Sequence, residues 1–277
     1  MGALISADDL VARLASGGLD VLDTRSGPDG AGRAAFEAGH IPGARHTDYA
    51  ADGWRAKRGG APGMLPDADH LGRLIGRVGL DPARPVVIVP AGQNVSDFAA
   101  AARIYWTLRH VGYRPVAILD GGHPAWVAAG LPMEQGPPSE GVAPAPLGPA
   151  SAYRAVVEDV ETAIRSRSTT LLDARAPSYF QGKEKAPEAR VAGHLPGALN
   201  IDYVTAYDAA TNRLKSMPEL EALFAGIPRG APLISYCNTG HTAALNWFVL
   251  SELMGMQVRL YDGSMTEWTQ DPSRPVA

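Results

Sequence analysis

The chain has 277 residues, 45% of them hydrophobic and 19% charged, with a formal net charge of −4, which is the make-up of an ordinary globular protein with material for two domains rather than one simple core. The weak negative charge gives no general case for nucleic acid, and no apolar run approaches a membrane span. A single cysteine excludes an internal disulfide and any two-cysteine redox pair.

The opening Met1-Gly-Ala-Leu-Ile-Ser-Ala-Asp-Asp lacks the basic start and apolar core of a signal peptide, so a cytoplasmic location is expected, or a periplasmic one if a leader has been removed. Ser6 is placed to cap a helix to about Leu14, and Leu19 to Asp23 reads as a strand. Asp67 to Val78 reads as a helix ended by Gly79. Pro85 to Val89 suits a fully buried strand, Ser96 to Val111 an amphipathic helix and Val116 to Leu119 a strand, with a helix around Trp126. The plan then returns, with a helix near Val157 to Arg165, a strand Thr169 to Asp173 and a helix Pro218 to Ala225. A strand Leu233 to Tyr236, a helix Thr242 to Met254 and a strand Val258 to Tyr261 complete it. This alternation predicts an α/β fold in which each domain is a mainly parallel sheet flanked by helices on both faces.

The chain repeats itself in motifs as well as in plan. Val21-Leu-Asp-Thr-Arg25 is answered by Leu171-Leu-Asp-Ala-Arg175, and Gly39-His-Ile-Pro-Gly-Ala44 by Gly193-His-Leu-Pro-Gly-Ala198, with Asp48-Tyr49 and Asp202-Tyr203 after them. Asp120-Gly121 with Trp126 is answered by Asp262-Gly263 with Trp268. A period of roughly 150 residues is a duplicated domain, too long for a solenoid unit. The expected division is 1–133, a Pro/Gly-rich linker at 134–150 running extended over the surface, and 151–277, with the two copies packed face to face.

The chemistry concentrates in the second copy. A strand ends at Cys237, a polar loop containing Gly240 follows, and a helix begins, so loop amides and the positive helix end face the sulfur and favour a thiolate. Pro90 stands opposite Cys237 in the first copy, which is expected to be catalytically silent and to wall the second copy's site.

Together these motifs resemble the two-domain rhodaneses, the thiosulfate and 3-mercaptopyruvate sulfurtransferases, over nearly the whole chain. The resemblance implies two rhodanese-like domains and a Cys237 persulfide cradled by Asn238, Thr239, Gly240, His241 and Thr242. It further implies a sulfane sulfur taken from thiosulfate or mercaptopyruvate and handed to cyanide or a thiol. A persulfide needs one sulfur and converging N–H donors, with no cofactor and no metal. In that family thiosulfate-type members place Arg and Lys after the cysteine and mercaptopyruvate-type members place small neutral residues there. Asn238 and Thr239 follow the second pattern, yet Tyr179 stands where those members carry an Arg, so the donor stays open. Candidate donor contacts are Tyr179, Lys183, Lys185 and Arg190, with Arg190 the strongest because a guanidinium grips carboxylate or sulfonate bidentately. A monomer without nucleic-acid or membrane partners is expected.

Other assignments compete. His241 either raises the positive potential at the thiolate or lies at the solvent rim. His40 and His194 recur in both copies, which favours structural hydrogen bonds, with Asp23 and Asp173 as the expected partners; His40 also keeps a proton-handling alternative. Asp120, Gly121, Asp262 and Gly263 read as turns, and Trp126 and Trp268 as core. No Cys/His cluster has metal-ligand spacing. A rhodanese-fold phosphatase would carry Arg at the position of Ala243, and a non-catalytic binding or sulfur-carrier module is the other alternative.

Overall fold

The computed structural model describes residues 1–29, 32–141 and 143–277. The first copy runs β1 (Leu4–Ile5), α1 (Ala7–Ser16), β2 (Asp20–Asp23), α2 (Gly32–Ala38), β3 (Arg45–His46), β4 (Ala56–Arg58) and β5 (Ala61–Met64). It continues with α3 (Ala68–Val78), β6 (Val86–Val89), α4 (Val95–His110), β7 (Val116–Leu119) and α5 (Gly122–Ala128). The second runs β8 (Arg154–Ala155), α6 (Val157–Ser166), β9 (Thr170–Asp173), α7 (Pro177–Phe180), β10 (Leu199–Asn200), β11 (Tyr207–Asp208) and β12 (Arg213–Leu214). It ends with α8 (Met217–Leu223), β13 (Leu233–Tyr236), α9 (Ala243–Trp247), β14 (Val258–Tyr261) and α10 (Ser264–Trp268).

Local chemistry sets these boundaries. Ser6 accepts from the Asp9 N–H at the start of α1, Asp67 accepts from the His70 N–H at the start of α3, and left-handed Gly79 ends α3. Two expectations are corrected. Helix α4 is not amphipathic: Asp97, Arg103, Thr107 and His110 are buried along with its apolar side chains, and the Ser151 N–H bonds the His110 carbonyl over its far end. The expected helix 242–254 is α-helical only to Trp247 and then widens into a π-helix over Phe248–Leu253, where the Met254 N–H reaches back five residues to Val249.

Packing gathers the chain into two compact units. Unit 1 holds Met1–Trp54, Pro66–Ser151 and Ala209–Leu214; unit 2 holds Arg55–Leu65, Ala152–Asp208 and Lys215–Ala277. Each unit therefore takes in a short segment from the other copy's sequence. Unit 1 is built on the sheet β1-β7-β6-β2-β3 and unit 2 on β10-β9-β13-β14-β8, every pairing parallel. Core strands such as Val86–Val89 and Leu233–Tyr236 are buried at every residue, as strands covered on both faces must be. The apolar clusters are parallel in composition, one around Val21, Phe36, Val87 and Trp126, the other around Leu171, Ile234, Tyr236 and Trp268.

The connector between the copies is a strap on unit 1. Backbone bonds run from the Gly141 N–H to Arg77, Ala145 to Gly72 and Gly148 to Val111. Its passage explains two glycines inside α3, for a Cβ on Gly76 would overlap the Ala143 carbonyl and lie 2.6 Å from the Ala145 nitrogen, and one on Gly72 would sit 3.2 Å from the Ala145 oxygen.

Candidate functional site

The repeated motifs are pins that fix the C-terminal ends of the strands. Arg175 donates through Nε to both carboxylate oxygens of Asp173 at 2.9 and 3.0 Å, and through Nη2 to Asp173 and to the Gly193 carbonyl at 2.8 Å. Arg25 does the same with Asp23 and the Gly39 carbonyl. The Leu-Asp-x-Arg and Gly-His motifs are thus two halves of one buried contact. Burial opposes the Arg175 charge, but the hydrogen bond and charge of Asp173, with smaller contributions from Tyr236 and Cys237, outweigh it and hold the guanidinium above its ordinary pKa.

The histidines are structural by a different route from the one expected. His40 Nδ1 lies 2.8 Å from the Phe36 carbonyl and His194 Nδ1 2.8 Å from the Phe180 carbonyl, each ring stacked on that phenylalanine. Asp23 and Asp173 are engaged by Arg25 and Arg175 instead, which is why neither histidine reaches them.

Cys237 stands at the C-terminal tip of β13, the central strand of its sheet, where α/β sites form. It is a free thiol, only 2% exposed. Its N–H donates to Ser264 Oγ at 3.0 Å and its carbonyl accepts from the Met265 N–H, while the Asn238 carbonyl accepts from the Thr266 N–H. Ser264 in turn donates to the Tyr261 carbonyl and holds a left-handed φ of 51°. The loop 237–242 is therefore clamped to the turn between β14 and α10. Gly240, at φ 69°, supplies the reversal. Arg175 Nη1 approaches Asn238 Oδ1 at 3.4 Å. Tyr203 is the other neighbour: burial first, then Asp202, then the charge of Cys237 raise its pKa.

The structure separates the four expected donor contacts. Lys185 is turned onto the Ala189 carbonyl at 2.9 Å, Lys183 is exposed, and Tyr179 lies within the short helix α7. Arg190 alone connects toward the loop: its Nε donates to Gln270 Oε1 at 3.0 Å and its N–H to Thr269, directly after α10. What the sequence reading missed is the hairpin β4–β5. It belongs to unit 2, where Gly63 lies against the Thr239 peptide so closely that a Cβ would stand 2.6 Å from its carbonyl carbon. The Leu65 N–H donates to Asp262 at 2.5 Å, and Asp262 is also gripped by Arg154 through two bonds. Gly59-Gly60, both at positive φ and set between Arg58 and Ala61, was the available signal for this hairpin. Among the described residues no group of three or more His, Cys, Asp or Glu is placed to hold a metal ion, and no helix is long and apolar enough to cross a membrane.

A rhodanese-like domain model matches residues 6–129 and again 156–271. The chain belongs to the rhodanese-like domain family. It is 36% identical to a probable 3-mercaptopyruvate sulfurtransferase of Pseudomonas aeruginosa over 99% of this chain and 97% of that one. It is 30% identical to a thiosulfate sulfurtransferase of the same organism, over 99% of this chain and 96% of that one. The human 3-mercaptopyruvate sulfurtransferase matches at 33% over 85% of this chain and 79% of its own length. Among solved structures, the anaerobic ergothioneine biosynthesis enzyme from Chlorobium limicola superposes with a TM-score of 0.83 at 21% identity, covering 99% of this chain and 69% of that one, a likeness of fold.

The first rhodanese-like domain shows what its loop does without a cysteine. Asp97, in the first turn of α4, reaches back so that its carboxylate accepts from the Gln93 and Asn94 N–H groups at 2.8 and 3.1 Å. Asn94 accepts from the Ser96 and Asp97 N–H groups. Two amides of this loop thus hold the protein's own carboxylate. With Pro90 opposite Cys237, the residue opposite Asp97 is Ala244, buried and without a charge to offer.

Proposed function

We propose that this rhodanese-family protein is a sulfurtransferase in which Cys237 takes a sulfur atom, the sulfane sulfur of thiosulfate or alternatively the thiol sulfur of 3-mercaptopyruvate, and passes it to a thiol or cyanide. The observation that carries the reading is the lone cysteine at the tip of the central strand, in a clamped loop where the silent domain's internal carboxylate is replaced by Ala244. The Cys237 thiolate attacks the outer sulfur of thiosulfate, an S–S bond forms as the donor's S–S bond breaks, and sulfite leaves with the electron pair. With mercaptopyruvate the C–S bond breaks and the pyruvate enolate takes up a proton. In the second half, the acceptor attacks the outer sulfur and the thiolate returns. The cysteine is oxidised to the persulfide in the first half and returned to the thiolate in the second, so the full cycle leaves the protein unchanged and one cysteine suffices.

Asn238, Thr239, Gly240, His241 and Thr242 are assigned to the cradle, whose amides stabilise the persulfide anion without reorganising. Ser264 and the Met265 and Thr266 N–H groups hold that loop in register. Arg175 adds a buried positive charge within electrostatic reach of the sulfur. Donor contacts are assigned to Arg190 and, at lower rank, to Tyr179, Lys183 and Lys185. The first domain is assigned no chemistry of its own.

The test is a loading experiment. Incubated with donor, the wild type should gain the mass of one sulfur atom and Cys237→Ser none, while the circular dichroism of the two stays the same. Thiocyanate formation from cyanide by the serine variant at the wild-type rate would falsify the nucleophile assignment. Steady-state comparison of thiosulfate with mercaptopyruvate then decides the donor.

A further inference from the structure

We propose that the second rhodanese-like domain carries a separate binding site for a small organic anion, a carboxylate or sulfonate on an apolar body. The site is the cavity between the end of α6, the start of β9 and the turn before β10, with Arg167 as its charge contact. It stands apart from the chemistry at Cys237.

The cavity has a volume of about 550 Å³, which is within the range of small-molecule sites. It lies away from the cysteine. Thr170, on its wall, pairs with Leu233 at the start of β13, whereas Cys237 follows the last residue of that strand, so the two places are at opposite ends of the sheet. Four strand residues separate them by roughly 13 Å.

The lining combines apolar walls with hydrogen-bond donors and holds no acid. Ile164, Leu171, Pro196 and Leu199 supply the walls, and Leu199 is left 41% exposed, apolar surface that a ligand's body would cover. Among the described residues the Arg167 guanidinium, the Thr169 and Thr170 hydroxyls and the Gly197 N–H, all from lining residues, make no hydrogen bond or ion pair. Arg167 also holds a left-handed φ of 55° just past α6. Glycine takes that conformation freely and a side chain takes it at a cost, the kind of strain that collects at functional positions. No bond within the fold offsets it.

In the first copy the same ground is closed from within. Gly17, at φ 69°, stands where the second copy has Arg167. The turns before β3 and β10 have one form, with Gly43 at φ 72° and Gly197 at φ 78°, and with the Ala44 and Ala198 N–H groups bonded to Ile41 and Leu195. Gly43 donates its N–H to the Glu134 carboxylate at 2.6 Å. Glu134 exchanges backbone bonds with His40 as Ala277 does with His194, so the residue in Glu134's place has a methyl group and no side-chain carboxylate. Arg84 donates to the Leu19 carbonyl at 2.7 Å and lies 3.2 Å from Asp20. The counterparts of Leu19, Asp20 and Arg84 are Thr169, Thr170 and Ala231, a set without charge. One copy thus meets its turn amide with its own carboxylate, and the other leaves that amide, two hydroxyls and a guanidinium around one cavity.

The experiment follows the binding of 2-naphthoate to the full chain through its own fluorescence, with neutral 2-naphthamide as the comparison. Naphthoate should bind with a Kd of about 1 mM or tighter, the scale set by its size, and naphthamide about tenfold more weakly for want of the charge-assisted bonds. Arg167→Gly should hold or raise the melting temperature, because glycine suits the end of α6, yet reduce the affinity for naphthoate to that for the amide. Thr170→Asp, which introduces the first copy's acid, should abolish naphthoate binding by repulsion. Cys237→Ser should bind naphthoate as the wild type does. No saturable naphthoate binding, equal affinity for acid and amide, or an unchanged affinity in Arg167→Gly would each overturn the proposal. Loss of binding in Cys237→Ser would overturn it too, by locating the anion at the cysteine loop.

Discussion

Ser264 occupies a backbone conformation that its counterpart, Gly122, adopts at φ 61° without a side chain to accommodate. A non-glycine residue there costs on the order of 1 kcal/mol, and such strain persists where surrounding structure requires it. Here the hydroxyl is what the position gains, since it accepts the Cys237 N–H. Ser264→Gly is expected to leave the melting temperature within a few degrees, strain relief offsetting the lost bond, yet to slow persulfide loading. Ser264→Ala keeps the strain and strands a buried N–H, so it should lose about 1–3 kcal/mol in urea unfolding. Equal stability of the alanine and glycine variants would remove the strain argument. The Asp97 comparison gives a sharper case. Ala244→Asp is expected to place a carboxylate over the loop amides and reduce sulfur transfer on the order of a hundredfold, the scale of losing preorganised anion donors. Stopped-flow loading with thiosulfate checks it, and a rate within twofold of wild type refutes it. None of this was visible in the sequence as a role. Asp97 reads there as an ordinary first-turn acid, and only the hydrogen bonds reveal whose donors it takes.

At the scale of elements, glycines mark where backbone meets backbone. Gly→Ala inside a helix ordinarily gains up to about 1 kcal/mol. For Gly76→Ala the sign should reverse, because the strap at Ala143–Ala145 lies where the methyl group would go; a loss of about 1–3 kcal/mol is expected from overpacking. Chemical denaturation decides the sign. Gly63→Ala is the counterpart in unit 2: the methyl group meets the Thr239 carbonyl, so the hairpin must lift from the cysteine loop. Reduced sulfur transfer with an unchanged far-ultraviolet spectrum is the expected outcome, and normal kcat/KM would show that the hairpin's seat on Thr239 is immaterial. The strands 116–119, 233–236 and 258–261 were legible to the residue, because a run of apolar β-formers bounded by turn residues has one comfortable state. Two-residue strands such as β1 and β8 were not, since Leu4–Ile5 and Arg154–Ala155 are strands only by pairing with β7 and β14. The π-helical stretch 248–253 likewise leaves no mark in residue type.

The duplicated plan and the place of the cysteine could be read from the whole molecule's sequence, because both rest on motifs whose partners lie in the same copy: Asp173 with Arg175 and Gly193, Trp268 with the Pro275 carbonyl. The hairpin's place was not legible: the segment seated on Thr239 comes from residues 55–65, outside the second copy's own sequence, a relation that no local pattern carries. Cutting the gene at the junction would therefore not yield two finished bodies. A 1–151 polypeptide lacks Ala209–Leu214 and a 152–277 polypeptide lacks Arg55–Leu65, each missing part of one compact unit. The second fragment is expected to form persulfide slowly or not at all by mass analysis, and full activity from it would sink this reading. What the fission experiment probes is heredity as much as stability: each copy's sequence encodes a piece of the other's body, so the halves belong to one gene and should regain activity as separate chains only by complementation.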